Sequence, residues 1–120
     1  MEKFSIKKRI QSFRYALKGI AYVFANEHNM WIHLLAAFFV TIAGFYFNIN
    51  STEWILVVFA IGIVIAAELF NSAIEKSVDF FSPEQNKNAG LIKDIAAGAV
   101  LVCAIVAAII GIVIFIPKIF

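Results

Sequence analysis

Three long stretches without a single Asp, Glu, Lys or Arg constrain the fold more than any other feature of this sequence. They cover residues 32–47, 54–67 and 95–117, and they raise the apolar fraction of the chain to 62%. Soluble domains contain about 45–50% apolar residues. A bilayer core of about 30 Å is crossed by about 20 residues of α-helix. The pattern therefore predicts an all-α integral membrane protein with three transmembrane helices.

The basic residues are distributed unequally along the chain. With three spans, the N-terminal segment and the 75–94 loop lie on the same side of the membrane. All Lys and Arg residues except Lys118 belong to that side. Short segments rich in Lys and Arg remain in the cytoplasm. We therefore expect the N-terminus and the 75–94 loop to be cytoplasmic.

Residues 4–26 are predicted to form a basic amphipathic helix at the membrane surface. Apolar side chains recur there at steps of three and four, as in an amphipathic helix, and Lys7, Arg14 and Lys18 lie away from them. The apolar positions are Ile6, Ile10, Phe13, Leu17, Ile20 and Phe24. A soluble partner helix is the alternative interpretation of this segment.

The transmembrane helices are expected at 31–48, 53–81 and 91–116. Ser51 or Thr52 is predicted to cap the second of them, and Ser82-Pro83 to end it, because the residue before a proline is steered away from helical geometry. The third is expected to end before Pro117.

The second of these helices carries a column of polar residues in the stretch AAELFNSAIEKSVDFF, residues 66–81. At 100° per residue, Asn71, Glu75 and Asp79 all lie on the same face as Glu68. Glu68 lies about 21 Å along the helix from Trp54, inside a core of about 30 Å. Glu75 and Asp79 lie about 10 and 16 Å further on, where they reach water.

A charged carboxylate within the hydrocarbon costs about 2.5–3.5 kcal/mol, so Glu68 needs a partner or a function. One interpretation is a structural pair with a lysine of a neighbouring helix. The other is that Glu68 meets a polar group of a lipid, as a general base does, while Glu75 and Asp79 meet an aqueous ligand such as a metal ion. Glu27 could join Glu75 in holding Mg²⁺.

Lys93 and Asp94 lie at the start of the third helix, and two interpretations fit them. They form either a simple interfacial pair or a group that holds phosphate charge beside the column of carboxylates. No GxxxxGK[ST] or GxGxxG motif is present, which excludes the standard nucleotide-binding loops. The spacing of His28 and His33 does not indicate a metal site, and we expect no nucleic-acid partner. Cys103 is expected to serve packing.

The residues ELFNSAIEKSVD at 68–79 resemble the signature of the small prokaryotic lipid kinases, the diacylglycerol kinase/undecaprenol kinase family. YALKG at 15–19, NE at 26–27, KDIAAGAVL at 93–101 and the closing IPK support the resemblance. It covers nearly the whole chain and implies a single lipid kinase domain, residues 1–120. It further implies a homotrimer in the bacterial inner membrane, with three transmembrane helices and one surface helix per chain. Such an enzyme transfers the γ-phosphate of ATP-Mg²⁺ to a lipid alcohol.

The resemblance also implies roles for individual residues. Glu68 resembles the catalytic base, and Glu27 and Glu75 resemble the Mg²⁺ ligands. The implied nucleotide contacts are Lys8, Tyr15, Glu27, Asn71, Glu75, Asp79, Glu84, Gln85, Asn86, Lys93 and Asp94. The implied lipid contacts are Glu68, Lys8, Arg9 and Ala97. Asn86 departs from a histidine that is common in the family's nucleotide loop.

Two substrate branches exist in this family. The diacylglycerol branch has an acid six residues after the NE glutamate, where this chain has His33. NEHNMWIHLLAA and the closing IIGIVIFIPKIF are more similar to the undecaprenol branch, so undecaprenol is the expected substrate and diacylglycerol the alternative. A small proton-coupled transporter that uses Glu68 is a further alternative from another functional class.

Overall fold

The computed structural model describes residues 3–120, and these form four α-helices and no β-strand. The helices are α1 (Ile6–Asn26), α2 (His28–Tyr46), α3 (Ser51–Phe81) and α4 (Lys87–Ile119). By length and composition, α2, α3 and α4 can each cross a membrane. The prediction of an all-α chain with three long apolar helices is confirmed.

Helix α3 is longer than a bilayer core requires. Its 31 residues measure about 46 Å at 1.5 Å per residue, against a core of about 30 Å. The uncharged run begins at Trp54, near the start of the helix, so the excess length lies at the end that carries Glu75 and Asp79. α3 ends at Phe81, where the Ser82 N–H still donates to the Val78 carbonyl.

The start of α3 corrects the expected cap. Asn50 caps the helix, and neither Ser51 nor Thr52 does so. The Asn50 side chain accepts from the Glu53 N–H at 2.9 Å, and the Glu53 carboxylate accepts from the Asn50 N–H at 3.1 Å. This reciprocal pair is a capping box, which satisfies two otherwise unpaired backbone donors. Asn48, in the left-handed region at φ 53°, turns the chain between α2 and α3.

Helix α4 extends beyond its expected limits at both ends. It begins at Lys87, four residues before Leu91, because the Asn86 side chain accepts from the Ala89 N–H at 2.8 Å and caps the first turn. It also continues through Pro117 to Ile119, so the expected end before Pro117 is wrong. A proline in the last turn removes one hydrogen bond, and the next turn closes with the Phe120 N–H on the Ile116 carbonyl.

The end of the molecule at Asn50 and Ile119 is held by apolar packing. Ile49, Val57 and Ile114 form a buried cluster there, with Trp54 packed against it. Gly44 of α2 makes room for Trp54, since a Cβ on this glycine would lie 2.6 Å from the Trp54 ring. We call this region the closed end of the molecule.

Helix α1 packs against α2 and α3 at the end of the molecule opposite the closed end. Glu27 forms the break between α1 and α2 in extended conformation, at φ −111° and ψ 116°, and the flanking Val23 and Met30 are buried. The Lys76 ammonium of α3 lies 4.6 Å from the centre of the Tyr22 ring, a cation–π contact. This contact places α1 beside the end of α3 that carries Glu75 and Asp79.

Candidate active site

One face of α3 carries a polar stripe, which consists of Glu68, Asn71, Ser72, Glu75 and Asp79. Glu68, Asn71 and Ser72 are the buried polar side chains of residues 3–120, with 4%, 8% and 3% of each residue exposed. Glu75 is half-buried and Asp79 is exposed. The polar stripe therefore rises from the interior to the surface, over about 16 Å along the helix.

At the deep end of the polar stripe, Glu68 contacts a residue of α2. His33 Nε2 lies 2.9 Å from Glu68 Oε1, and the His33 side chain is itself half-buried. The pairing with a neighbouring lysine, one of the two expectations, is wrong, because the partner is an imidazole. Sequence reasoning did not place His33 at the site. The departure from an acid at this position was the available signal.

One turn further on, Asn71 and Glu75 form a second pair. Asn71 Nδ2 donates to Glu75 Oε1 at 3.2 Å. Asn71 Oδ1 is buried and accepts no hydrogen bond within residues 3–120. Nearly all buried polar atoms in proteins have a partner, so an orphaned acceptor beside a carboxylate indicates that a ligand belongs there.

The oxygen atoms of Asn71 and Glu75 are suitable ligands for Mg²⁺. This ion is usually held by one or two carboxylates, several waters and substrate phosphates, all through oxygen. Glu75 offers a carboxylate oxygen that Asn71 does not occupy, and Asn71 offers an amide oxygen. The part of the chain that the structure describes holds no cluster of three or more His, Cys, Asp or Glu residues.

At the outer end of the polar stripe, α3 and α4 are joined by an ion pair. Lys93 Nζ donates to Asp79 Oδ1 at 2.5 Å, so the lysine pairs with Asp79 of α3. Both side chains are open to water, and the ammonium group has two further donors. Asp94 is exposed and, across residues 3–120, makes no hydrogen bond or ion pair with the polar stripe.

The loop before α4 is exposed at Glu84, Gln85 and Asn86. Asn86 already has structural contacts in this loop. Its Oδ1 caps α4, and its Nδ2 donates to Ser82 Oγ at 2.7 Å. Its side chain therefore does not reach the polar stripe in this conformation.

Four other expected site residues are exposed side chains of α1 and α4. Tyr15 is 69% exposed on α1, and Ala97 is exposed on α4. Lys8 and Arg9 are exposed near the start of α1, and the Arg9 guanidinium lies 6.0 Å from the centre of the Phe4 ring. Within residues 3–120, Tyr15, Arg9 and Ala97 form no hydrogen bond or ion pair with the polar stripe.

A cavity of about 480 Å³ lies between α2, α3 and α4 on the apolar side of Glu68. Its walls are alanine, valine, isoleucine, phenylalanine and glycine residues, and His33 is the one polar residue that lines it. The imidazole therefore borders both an apolar space and the buried carboxylate.

The sequence of this chain matches the family model of the prokaryotic diacylglycerol kinases over residues 14–115. The chain belongs to this family. It is 38% identical to an undecaprenol kinase of Bacillus subtilis, over 94% of this chain and 92% of that protein. It is 36% identical to a diacylglycerol kinase of Synechocystis, over 83% of this chain and 58% of that protein. A diacylglycerol kinase of Escherichia coli is 28% identical, over 83% of this chain and 82% of that protein.

Membership in this family confirms that the chain is a lipid kinase and a multi-pass bacterial membrane protein, with ATP as the phosphoryl donor. The transporter interpretation of Glu68 is set aside on this ground. The whole polar stripe, with Glu27 and Lys93, falls inside the matched region, whereas Lys8 and Arg9 precede it.

Proposed function

We propose that this chain transfers the γ-phosphoryl group of ATP-Mg²⁺ to the hydroxyl of undecaprenol and so forms undecaprenyl phosphate. The observation that carries the proposal is the polar stripe, which joins one buried carboxylate, Glu68, to exposed charges at the surface. A lipid hydroxyl and a water-soluble nucleotide can meet only at such a boundary. Similarity to the Bacillus subtilis undecaprenol kinase over nearly the full length of both chains supports the choice of lipid.

In the proposed reaction Glu68 is the general base. Its carboxylate accepts the proton of the lipid hydroxyl while the hydroxyl oxygen bonds to the γ-phosphorus of ATP. The bond between that phosphorus and the bridging oxygen breaks, and ADP leaves. Positioning and electrostatic stabilisation supply most of the acceleration in phosphoryl transfer, so the fixed depth of Glu68 matters as much as its basicity.

Glu27 and Glu75 are the proposed Mg²⁺ ligands, as the family resemblance implied, and the hydrogen bond of Glu75 with Asn71, whose Oδ1 has no partner within residues 3–120, supports Glu75. When bound, Mg²⁺ neutralises charge on the β- and γ-phosphates. The nucleotide contacts we propose are those that the family resemblance implied, Tyr15, Asn71, Asp79, Lys93 and Asp94 together with Lys8 and the loop 84–86. Lys93 would exchange part of its contact with Asp79 for phosphate oxygen, since both are charge-assisted bonds to anionic oxygen.

We place α1 at the cytoplasmic membrane surface and the 75–94 loop on the same side. The apolar positions of α1 support this placement, because Ile6, Phe13 and Leu17 are all more than 60% exposed within the single chain. Large apolar groups at such exposure need lipid or another chain as cover. Lys8, Arg9 and Ala97 remain proposed contacts of the lipid.

A homotrimer forms part of the proposal. Within one chain, most large apolar side chains of α2, α3 and α4 are exposed, so helices of neighbouring chains can pack against them. Sedimentation in a detergent of known density would give the mass of three chains. A protein that remained a monomer in every active preparation would contradict this part.

Diacylglycerol is the second candidate substrate, favoured by the Synechocystis and Escherichia coli relatives. The deciding experiment offers undecaprenol and diacylglycerol in parallel, in mixed micelles with labelled ATP and Mg²⁺. Faster transfer to undecaprenol, lost in Glu68→Gln, supports the proposal. Faster transfer to diacylglycerol reverses the choice of lipid and keeps the chemistry. Transfer to neither lipid by the folded protein contradicts the proposed function.

A further inference from the structure

We propose that His33 is a positioning residue that holds Glu68 ready for proton abstraction, an inference that rests on the proposed function. The geometry that carries it is the 2.9 Å contact between His33 Nε2 and Glu68 Oε1. It is the one hydrogen bond or ion pair that the structure gives the Glu68 side chain within residues 3–120. The proposal goes beyond the reaction itself, because it assigns a role to a residue outside the proposed nucleotide and metal contacts.

The two oxygens of Glu68 have different surroundings. Oε1 is bound to the imidazole, whereas Oε2 has no hydrogen bond from residues 3–120. Oε2 is nevertheless not completely enclosed by protein atoms. Among the side-chain atoms of residues 3–120, Asn71 Oδ1 is the one that is both fully buried and without a hydrogen bond. One oxygen is therefore fixed from the side of α2, and the other remains reachable for the hydroxyl group of a lipid.

The chemistry of the pair sets the direction of the hydrogen bond. An ionised carboxylate can only accept, so Nε2 carries the proton and donates it to Oε1. This bond selects one rotamer among those open to a side chain with three rotatable bonds, and it leaves a lone pair on Oε2 free. Proton abstraction depends on such fixed geometry, because the base must lie within hydrogen-bond reach of the proton.

The surroundings also show what removal of the imidazole would do. On its other side His33 borders the apolar cavity between α2, α3 and α4. An apolar residue at position 33 would extend that cavity to the carboxylate and leave Oε1 without a protein donor. The carboxylate could then turn toward any water that enters, and the productive rotamer would become less populated.

The test compares His33→Leu, which cannot donate, with His33→Gln, whose amide can. For His33→Leu we expect kcat to fall about 10- to 100-fold, by analogy with the loss found when the hydrogen-bond partner that orients a metal ligand is removed. KM for ATP should change less than about twofold, since the nucleotide contacts are untouched. His33→Gln should restore most of kcat. Thr41→Val is the matched control on α2, because within residues 3–120 the Thr41 hydroxyl donates to the Ala37 carbonyl of its own helix and to no residue of the polar stripe.

A second arm repeats both substitutions in the Glu68→Gln background. A residue that acts through Glu68 should have no further effect there. In the full-length protein, the ¹⁵N resonance of His33 Nε2 should also shift when Glu68 becomes glutamine.

The outcomes separate the inference from the function on which it rests. An active wild type whose His33→Leu variant keeps its kcat overturns the positioning role alone. Equal losses in His33→Leu and His33→Gln, or a loss confined to KM for ATP, overturn it as well. A wild type that transfers phosphate to neither lipid overturns the proposed function, and the positioning role with it.

Discussion

The closed end of the molecule and the polar stripe both contain glutamates, and they use them in opposite ways. At the closed end, Glu53 Oε1 accepts from the Asn50 N–H and Oε2 accepts from Lys118 Nζ at 2.6 Å. Lys118 also donates to the Ile114 carbonyl. In the polar stripe, Glu68 and Glu75 each have one bound oxygen and one without a protein partner within residues 3–120.

This difference distinguishes structural carboxylates from functional ones. A fully occupied carboxylate stabilises the chain and has nothing left to bind. A carboxylate held by one oxygen is fixed in place and can still accept a proton or a metal ion. Fold stability should therefore respond to changes at the closed end, and catalysis to changes in the polar stripe.

The largest effect should come from Glu68→Gln. The amide keeps the size of the side chain but cannot take up a proton, and general bases contribute about 10²–10⁴-fold. We expect phosphoryl transfer to fall by about 10³-fold, with the helical circular dichroism and the oligomeric mass unchanged. A variant that keeps more than a tenth of the wild-type transfer rate would show that Glu68 is not the general base.

A smaller effect should follow from Glu75→Gln. Such a site has only one or two carboxylates, so the loss of one should weaken the binding of Mg²⁺. The Mg²⁺ concentration that gives half-maximal transfer should rise by about 10- to 100-fold. Activity should return in part at high Mg²⁺. An unchanged dependence of transfer on Mg²⁺ concentration, measured at fixed ATP, would show that Glu75 does not bind the metal.

At the closed end, Gly44→Ala should reduce stability and leave catalysis intact. The added methyl group would lie 2.6 Å from the Trp54 ring, and overpacking costs about 1–3 kcal/mol. Denaturant unfolding in detergent measures the free energy. Gly62→Ala is the control, because no atom outside its own helix lies within 4 Å of a Cβ there. Equal stability of the two variants would contradict the close contact.

The smallest effect is expected for Asn50→Ala, which removes one half of the capping box. Such caps contribute about 1 kcal/mol, so the unfolding free energy should fall by that amount while kcat per folded protein stays constant. Ser51→Ala and Thr52→Ala should each change it less. A larger loss of unfolding free energy in either of these variants would show that Ser51 or Thr52, and not Asn50, caps α3.

The helices and the polar stripe were predictable because they depend on local spacing. An uncharged run of sufficient length predicts a spanning helix, and intervals of three and four residues place Glu68, Asn71 and Glu75 on one face. Asn50 was also predictable in retrospect, since Glu53 follows three residues later, the spacing of a capping box.

The pairs between helices were not predictable in this way. The contact of Glu68 with His33 depends on how α2 packs beside α3, and that of Asp79 with Lys93 on how α4 returns along it. Neither distance follows from the spacing of residues along the chain. The extension of α4 through Pro117 was missed for a related reason, because Lys118 and the closed end support its last turn.

The most direct test of the comparison is phosphoryl transfer by Glu68→Gln and Glu53→Gln, measured side by side with their unfolding free energies. Both variants exchange one carboxylate oxygen for an amide on α3. We expect Glu68→Gln to lose transfer and keep its stability, and Glu53→Gln to keep transfer per folded protein and lose stability through its weakened contact with Lys118. Loss of transfer in Glu53→Gln comparable to that in Glu68→Gln would contradict this expectation.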